Sequence, residues 1–439
     1  MAYTPNSQRV AEEMLHSIGL ESMDELFADI PREVKLDQLL NLAPGLGEIE
    51  LRQYMQTLAG RNLNVDQYPC FLGAGAYDHF VPAVVDQILQ RSEFYTSYTP
   101  YQPEISQGIL QAIFEYQTLI CQLTGMEVSN ASMYDAGTAL AEACLMACEA
   151  SKRKQILVPE TIHPEYQKIM DTYSISGKMN CQAVPGRNGV TDVEQILALI
   201  DKETAAVVLQ TPNFFGNLEE IERIEQAIHQ QKGLLIMVVD PISLGILKSP
   251  GEYRADIVVG EGQALGNGLN FGGPYLGFMA SSKKYMRKLP GRIVGQTLDF
   301  KGRRAFVLTL QAREQHIRRE QASSNICSNQ ALNALAASIY LSMVGAQGLR
   351  MIAERCHQLA VYASNEFAKI GLSLQYDQPF FKEFALKVKE PGRVNRLLLD
   401  NGIIGGYELE DALLLAFTEK RSRMEIDRLV ALIGGVEHE

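Results

Sequence analysis

The sequence shows no excess of positive charge, no paired-cysteine motif, and no repeated or low-complexity tract. Its 40 Lys and Arg are outnumbered by 52 Asp and Glu, a formal net charge of −12. Such a surface repels polyphosphate, which argues against nucleic acid as a main partner. Seven cysteines, Cys70, Cys121, Cys144, Cys148, Cys181, Cys327 and Cys356, are scattered, and none forms a C-x-x-C pair. Cys144 and Cys148 stand four apart on an expected helix, yet no His or Cys has ligand spacing around them. The pattern reads as buried free thiols in a reducing compartment, and no metal site is expected. Met1-Ala2-Tyr3-Thr4-Pro5-Asn6 has no basic-plus-apolar leader. No apolar run approaches the ~20 residues of a membrane span. The expectation is a cytoplasmic protein with neither a membrane nor a nucleic acid as partner.

What is present can fold. At 439 residues, 46% hydrophobic and 21% charged, the chain has room for two or three cored domains. Residues 1–65 read as a helical N-terminal arm. Val10, Met14, Leu15 and Ile18 share a face, Gly19 closes that helix, and a second periodic stretch from Glu48 to Leu58 ends at Gly60. Two such helices bury too little alone, so the arm needs something larger to pack on. Residues 66–328 read as a large α/β domain. Short apolar runs at 155–159, 181–184, 205–209, 234–239, 257–259 and 276–279 alternate with helical stretches such as 192–200 and 219–229. Nearly continuous apolar strands suit a mainly parallel sheet covered on both faces. Residues 329–439 read as a small α+β domain. Helical stretches at 330–344 and 349–370 lead into a strand at 381–388, a helix at 393–399, a strand at 413–417 and a last helix at 423–433.

In an open α/β sheet, ligands bind beyond the carboxyl ends of the strands. The run Ile236–Val239 ends in Asp240. An acid there needs a positive partner, such as a protonated ring nitrogen or an Arg, unless it serves as a helix N-cap with Ser243. Tyr134, Asp135 and Thr138 lie in a small-polar stretch that opens an Ala-rich helix from about Leu140. Such a helix end suits phosphate, or ordinary capping by Asp135 or Thr138. His163 follows the first strand run and is placed either to stack on a flat cofactor or to hydrogen-bond structurally. Tyr95–Gln102 is rich in aromatic hydroxyls and broken by Pro100, the chemistry of a binding loop or subunit contact. Six glycines lie between 260 and 273, but neither a P-loop nor a G-x-G-x-x-G fingerprint occurs.

Several blocks together resemble one family. They are Ser97-Tyr98-Thr99-Pro100-Tyr101-Gln102, Asn130-Ala131-Ser132-Met133-Tyr134-Asp135, Gly272-Gly273-Pro274, Pro290–Gly295, Arg313–Glu320 and Ser324-Asn325-Ile326-Cys327. Essentially end to end, the chain is similar to the P-protein of the glycine cleavage system, glycine dehydrogenase (decarboxylating). The length matches the separate first, or alpha, subunit, equivalent to the N-terminal half of the one-chain form. The resemblance implies a fold type I pyridoxal phosphate (aspartate aminotransferase-like) large domain with the small C-terminal domain described above. In that fold the strand-end Asp pairs with the pyridinium nitrogen, and a Lys on the next strand-loop forms the Schiff base.

Asp240 matches the first position, but the segment from Asp256 to Gly273 contains no lysine. Gln263 or a close neighbour stands where the lysine is due, and an amide forms no imine. Lys248, Lys283 and Lys284 are on the wrong side of the loop or after the next strand. The resemblance then implies that a homologous beta subunit binds pyridoxal phosphate covalently. The assembled enzyme would decarboxylate glycine and pass the aminomethyl group to the lipoyl arm of the H-protein. Asp240, His163, Tyr134, Asp135 and Thr138 become vestiges of a cofactor site. Tyr98, Thr99, Tyr101, Gln102, Ser323 and Asn325 become candidates to face the partner's cofactor. Two alternatives stand beside this: an autonomous pyridoxal phosphate enzyme using another lysine, and a non-enzymatic scaffold.

Overall fold

The computed structural model describes residues 6–36, 38 and 40–437; the opening Met1–Pro5 lies outside them. The chain divides into two compact units, Met1–Leu63 and Asn64–Glu439. The first carries helices α1 (Gln8–Ser17) and α2 (Glu48–Ala59). The Ser7 hydroxyl accepts from the Val10 amide, and Glu50 reaches back to the Gly47 amide, each end satisfying an orphan donor. Gly19, at φ 78°, takes the left-handed turn that stops α1.

The second unit is built on a seven-stranded sheet. Its strands are β1 (Val128–Ser129), β2 (Gln155–Pro159), β3 (Asn180–Val184), β4 (Thr204–Gln210), β5 (Leu234–Val239), β6 (Ile257–Glu261) and β7 (Gly277–Ser281). In space they run β1-β7-β6-β5-β4-β2-β3. The pairs from β3 through β6 are parallel, whereas β7 is antiparallel to both β6 and β1. Alternation along the strands explains their unbroken apolarity. Val207, Leu209, Leu235 and Met237 enter one core with Tyr116 and Ile120 of α3 (Gln107–Thr124). Ala206, Val208, Ile236 and Val238 enter the opposite core with Leu140 and Cys144 of α4 (Ala136–Ser151). A period of two on a doubly covered sheet leaves no polar position between them. The crossovers include α5 (Pro164–Ser174), α6 (Val193–Leu199) and α7 (Glu222–Gln230). An antiparallel hairpin, β8 (Ile293–Leu298) with β9 (Arg304–Thr309), follows the sheet.

The two C-terminal helical stretches form one element, α8 (Ala331–Lys369), kinked where Gly345 leaves helical geometry at φ 58°. By length and composition it is the one described helix apolar enough to cross a membrane, which the separate runs in the sequence concealed. Its packing is that of a core helix: Ala334 to Cys356 enter the sheet core, and Leu359 to Phe367 enter the C-terminal core. The cores therefore divide inside α8, not at residue 329. The C-terminal core lies under an antiparallel sheet, β10 (Glu383–Lys387), β11 (Tyr407–Glu408) and β12 (Ala412–Ala416), backed by α9 (Pro391–Asp400) and α10 (Arg423–Glu437).

The turn after β4 docks this sheet over the strand ends. The Phe381 amide donates to the Gly216 carbonyl at 3.1 Å, and the Leu218 amide to the Pro379 carbonyl at 2.9 Å. Gly216 sits at φ 81°, and a Cβ there would collide with the Glu383 carbonyl. Gly216→Ala should lower stability by about 3 kcal/mol or more. Gly177→Ala, at φ 66° but in open space, should lose only the ~1–2 kcal/mol of the backbone conformation. Thermal unfolding of the two variants side by side checks this; equal losses would mean that the collision relaxes freely.

Candidate functional site

The sheet order reverses between β2 and β4, and a crevice opens beyond their carboxyl ends. There the His163 amide donates to the Gln210 side chain at 2.9 Å, which fixes the start of α5 beside the end of β4. Around this crevice the fold gathers Asp240 after β5, Glu261 at the end of β6, and Asp135 before α4.

Each of the suspected vestigial residues has a structural occupation. Asp135 caps α4: its carboxylate takes the Thr138 amide at 2.8 Å, and the Thr138 hydroxyl returns to Asp135. The helix starts at Ala136, four residues before the expected Leu140, because this cap satisfies its first turn. His163 uses both ring nitrogens. Nδ1 accepts from the Glu165 amide, so Nε2 carries the proton and donates to the Ala74 carbonyl at 2.9 Å. Its ring stacks on Tyr166 at 4.5 Å between centroids. The Tyr134 hydroxyl accepts from the Cys327 and Ser328 amides, both at 3.4 Å. Gln263, 1% exposed, accepts from the Tyr77 amide at 2.9 Å and donates to the Tyr77 and Asn267 carbonyls.

Asp240 is both a local cap and half of an ion pair. One carboxylate oxygen takes the Ile242 amide at 2.9 Å; the other lies 2.7 Å from the Lys382 ammonium. Lys382 is 2% exposed, sits 3.7 Å from the Tyr77 ring centroid, and reaches His79 Nε2 at 2.9 Å. An ammonium only donates, so Nε2 accepts and the His79 proton is on Nδ1, facing Glu419 at 2.6 Å. Burial and the neighbouring Lys382 hold the His79 pKa down. Burial opposes ionisation of Glu419, but the His79 bond and the Phe80 amide win and hold it at about 2. With Cys356, His79 and Glu419 put three ligand-type atoms within 4.8 Å of one another, the one such group among the described residues. Lys382 already supplies the positive charge there, so the group reads as a hydrogen-bonded chain. Sequence reading passed over Lys382, Glu383, His79, Tyr77, Glu419 and Glu261. Its one available signal was Lys382-Glu383 inside the otherwise apolar run from Phe380 to Leu386.

Pyridoxal phosphate does not fit these residues. The cavity left among Asp240, Gln263, Tyr77 and Lys382 is about 40 Å³, against the roughly 300 Å³ or more of a small-molecule pocket. The segment Gly73–Tyr77 fills the space beside this cavity, held between His163, Gln263 and Glu383. A neighbouring cleft of about 440 Å³ is roomier, but Asp135, Glu165 and Glu261 line it with no Lys or Arg. Two of the amides that open α4 are engaged, Ala136 by Glu261 at 3.1 Å and Thr138 by Asp135. A phosphate would therefore meet carboxylates.

None of the outer candidates lines this crevice. Tyr98 is 90% exposed and its hydroxyl has no hydrogen bond among the described residues; Gln102 and Asn325 are exposed as well. Thr99 and Ser323 are half-buried, and the Ser323 amide donates to the Arg313 carbonyl. Arg292 joins the two stretches, donating to the Tyr101 hydroxyl at 3.1 Å and the Cys327 carbonyl at 2.9 Å. Tyr101 also packs edge-on against His316 at 5.8 Å. Cys327 is exposed, unlike the buried Cys70, Cys144, Cys148 and Cys356, because the segment lies across the surface.

Glu383 yields a pH test. Its carboxylate takes the Ala74 amide at 2.7 Å and the Tyr77 hydroxyl at 2.8 Å, yet burial pushes it up to about 7. Between about pH 4.5 and 7 the folded chain holds this proton more tightly than the unfolded one, so stability falls as pH rises. Glu383→Gln can accept the Ala74 amide on its carbonyl and donate its NH2 to the Tyr77 hydroxyl, reversing that bond, and it removes the titration. The variant should gain on the wild type across that window, by up to about 3 kcal/mol at its upper end. Paired melting curves through the pH series read the difference directly; a flat difference would place Glu383 in its ordinary range.

The profile of the glycine cleavage system P-protein family matches residues 1–433. A protein named "Probable glycine dehydrogenase (decarboxylating) subunit 1" from Syntrophomonas wolfei subsp. wolfei is 66% identical over 435 residues, with 99% of each chain covered. Its namesake from Carboxydothermus hydrogenoformans is 56% identical over 442 residues, covering 99% of this chain and 100% of that one. The fold matches the crystal structure of glycine decarboxylase (P-protein) of the glycine cleavage system, in inhibitor-bound form. That likeness has a TM-score of 0.92 and 42% identity, covering 99% of this chain and 100% of the other. An alanine–glyoxylate aminotransferase from Nostoc sp., 16% identical with a TM-score of 0.59 over 85% of this chain and 96% of its own, shares the fold type I architecture alone. Matched along its whole length by both sequence and fold, the chain belongs to the glycine cleavage system P-protein family.

Proposed function

We propose that this chain is the first subunit of a heteromeric glycine dehydrogenase (decarboxylating), working with a homologous, lysine-bearing beta subunit. That subunit holds pyridoxal phosphate covalently; the assembly decarboxylates glycine and delivers the aminomethyl group to the lipoylated H-protein. The observation that carries this reading is the lysine-free segment from Asp256 to Gly273, with Gln263 locked onto Tyr77, in a chain of this family. The names of the relatives, each a subunit 1, support a second chain. Free cysteines throughout support a reducing, cytoplasmic setting.

Within that assembly, Tyr98, Thr99, Tyr101, Gln102, Ser323 and Asn325 reach the partner's cofactor site. Exposed hydroxyls and amides on a Pro-stiffened loop can orient a carboxylate or phosphate from outside. Support comes from the exposed Tyr98, Gln102 and Asn325 side chains, and from Arg292 fastening the Tyr101 loop to the Cys327 segment. Fixed donors aimed at a charge act without reorganisation.

The isolated chain should show no glycine turnover and no exchange of the glycine carboxyl with bicarbonate. Adding the lysine-bearing subunit and the lipoylated carrier should restore both. Turnover by the rigorously partner-free chain would overturn the assignment. Tyr98→Phe and Asn325→Ala should each reduce turnover of the saturated complex about a hundredfold. The melting temperature of the isolated chain should stay nearly unchanged. Subunit affinity and turnover measured on the same variants separate this from interface packing, which would weaken assembly and leave saturated turnover intact.

A further inference from the structure

The misfit of the cofactor has a positive side. We propose that Lys382 is an internal substitute for a protonated cofactor ring: its ammonium satisfies Asp240, and with the segment Gly73–His79 it closes the cleft permanently. This chain then reaches its folded form with no bound cofactor.

The geometry supports this from three directions. Asp240 comes out of an all-buried strand, where an unpaired carboxylate is costly, and its free oxygen lies 2.7 Å from Lys382 Nζ. The plug is bonded to elements far away in sequence. Glu383 holds the Ala74 amide and the Tyr77 hydroxyl, Gln263 holds both backbone groups of Tyr77, and Glu419 holds His79 and the Phe80 amide. Asp78 adds ion pairs to Lys420 at 2.6 Å and Arg421 at 3.1 Å. Finally, Gly75 passes so close to His163 that a Cβ would lie 2.9 Å from Nε2, and Tyr166 already stacks on that ring at 4.5 Å between centroids. Lys382 is on the last turn into β10, so one contact ties the C-terminal sheet to the carboxyl edge of the main sheet.

The test uses the full chain and its melting temperature, so it stands whether or not the subunit assignment above survives. Lys382→Met and Asp240→Asn should each lower the melting temperature by several degrees. Their combination should lose clearly less than the sum, because neither charge is then left buried alone. Additive losses would overturn the proposal. Should either single variant fail to fold, recovery of a folded double variant supports it and an unfolded double variant overturns it. In Lys382→Ala, n-butylamine should raise the melting temperature while n-butanol at equal concentration should not. Equal rescue by the alcohol would reduce Lys382 to packing. Pyridoxal phosphate should give the wild type no visible band and no thermal shift; a borohydride-fixed adduct on Lys382 would overturn the proposal by making the cleft a cofactor site.

Discussion

A buried ammonium must find an anion, and much of the second unit is arranged around that requirement at Lys382. The residue is 2% exposed and reaches Asp240, His79 and the Tyr77 ring at once. Removing one member of such a pair typically costs about 3–5 kcal/mol, since the survivor is stranded in low dielectric. The C-terminal sheet, the 73–79 segment and the ends of β5 and β6 therefore share one electrostatic condition. None of the three can shift far without exposing a charge that has no other partner.

The same condition acts on a crevice that has the outline of a fold type I site and internal partners for its polar groups. A parallel sheet with both faces covered still directs its strand ends, and whatever lies there, into one crevice. Asp240, Asp135, His163 and Tyr134 remain where the architecture delivers them. Each is engaged within the chain, through caps, a stacked tyrosine and an ammonium tether. Glu261 shows the change most plainly. Its buried carboxylate accepts the Ala136, Gln263 and Leu276 amides at an α4 terminus otherwise suited to an anionic ligand. Burial pushes it up to about 7, so the chain holds a poorly solvated acid where an external anion would sit.

Catalytic reach, in this reading, is displaced from the crevice to the surface. The Tyr98–Gln102 loop and the Cys327 segment are joined by Arg292, whose guanidinium spans a hydroxyl on one and a carbonyl on the other. Both bonds leave Nη2, whose two N–H groups diverge in the fixed guanidinium plane, a fork that a lysine point charge lacks. The exposed Tyr98 then extends from a fixed base, the condition under which one hydrogen bond to another subunit's ligand gains its full effect.

The sequence by itself determined the layered plan. Apolar runs and helical periods are local properties, so the strands from Gln155 to Ser281 and two of the helices between them were legible to within a few residues, whereas α5 was not. The absence of lysine between Asp256 and Gly273 was legible too, since a missing amine needs no coordinates. The β8–β9 hairpin and the single long α8 were not, because the first is paired only by contact and the second is bent, not broken, at Gly345. Only the tertiary structure decided which residue answers the Asp240 carboxylate. Lys382 follows Asp240 by more than a hundred residues, and His79 precedes it by as many again. A buried charge chooses its partner by distance through space, and no local pattern in the chain records that distance.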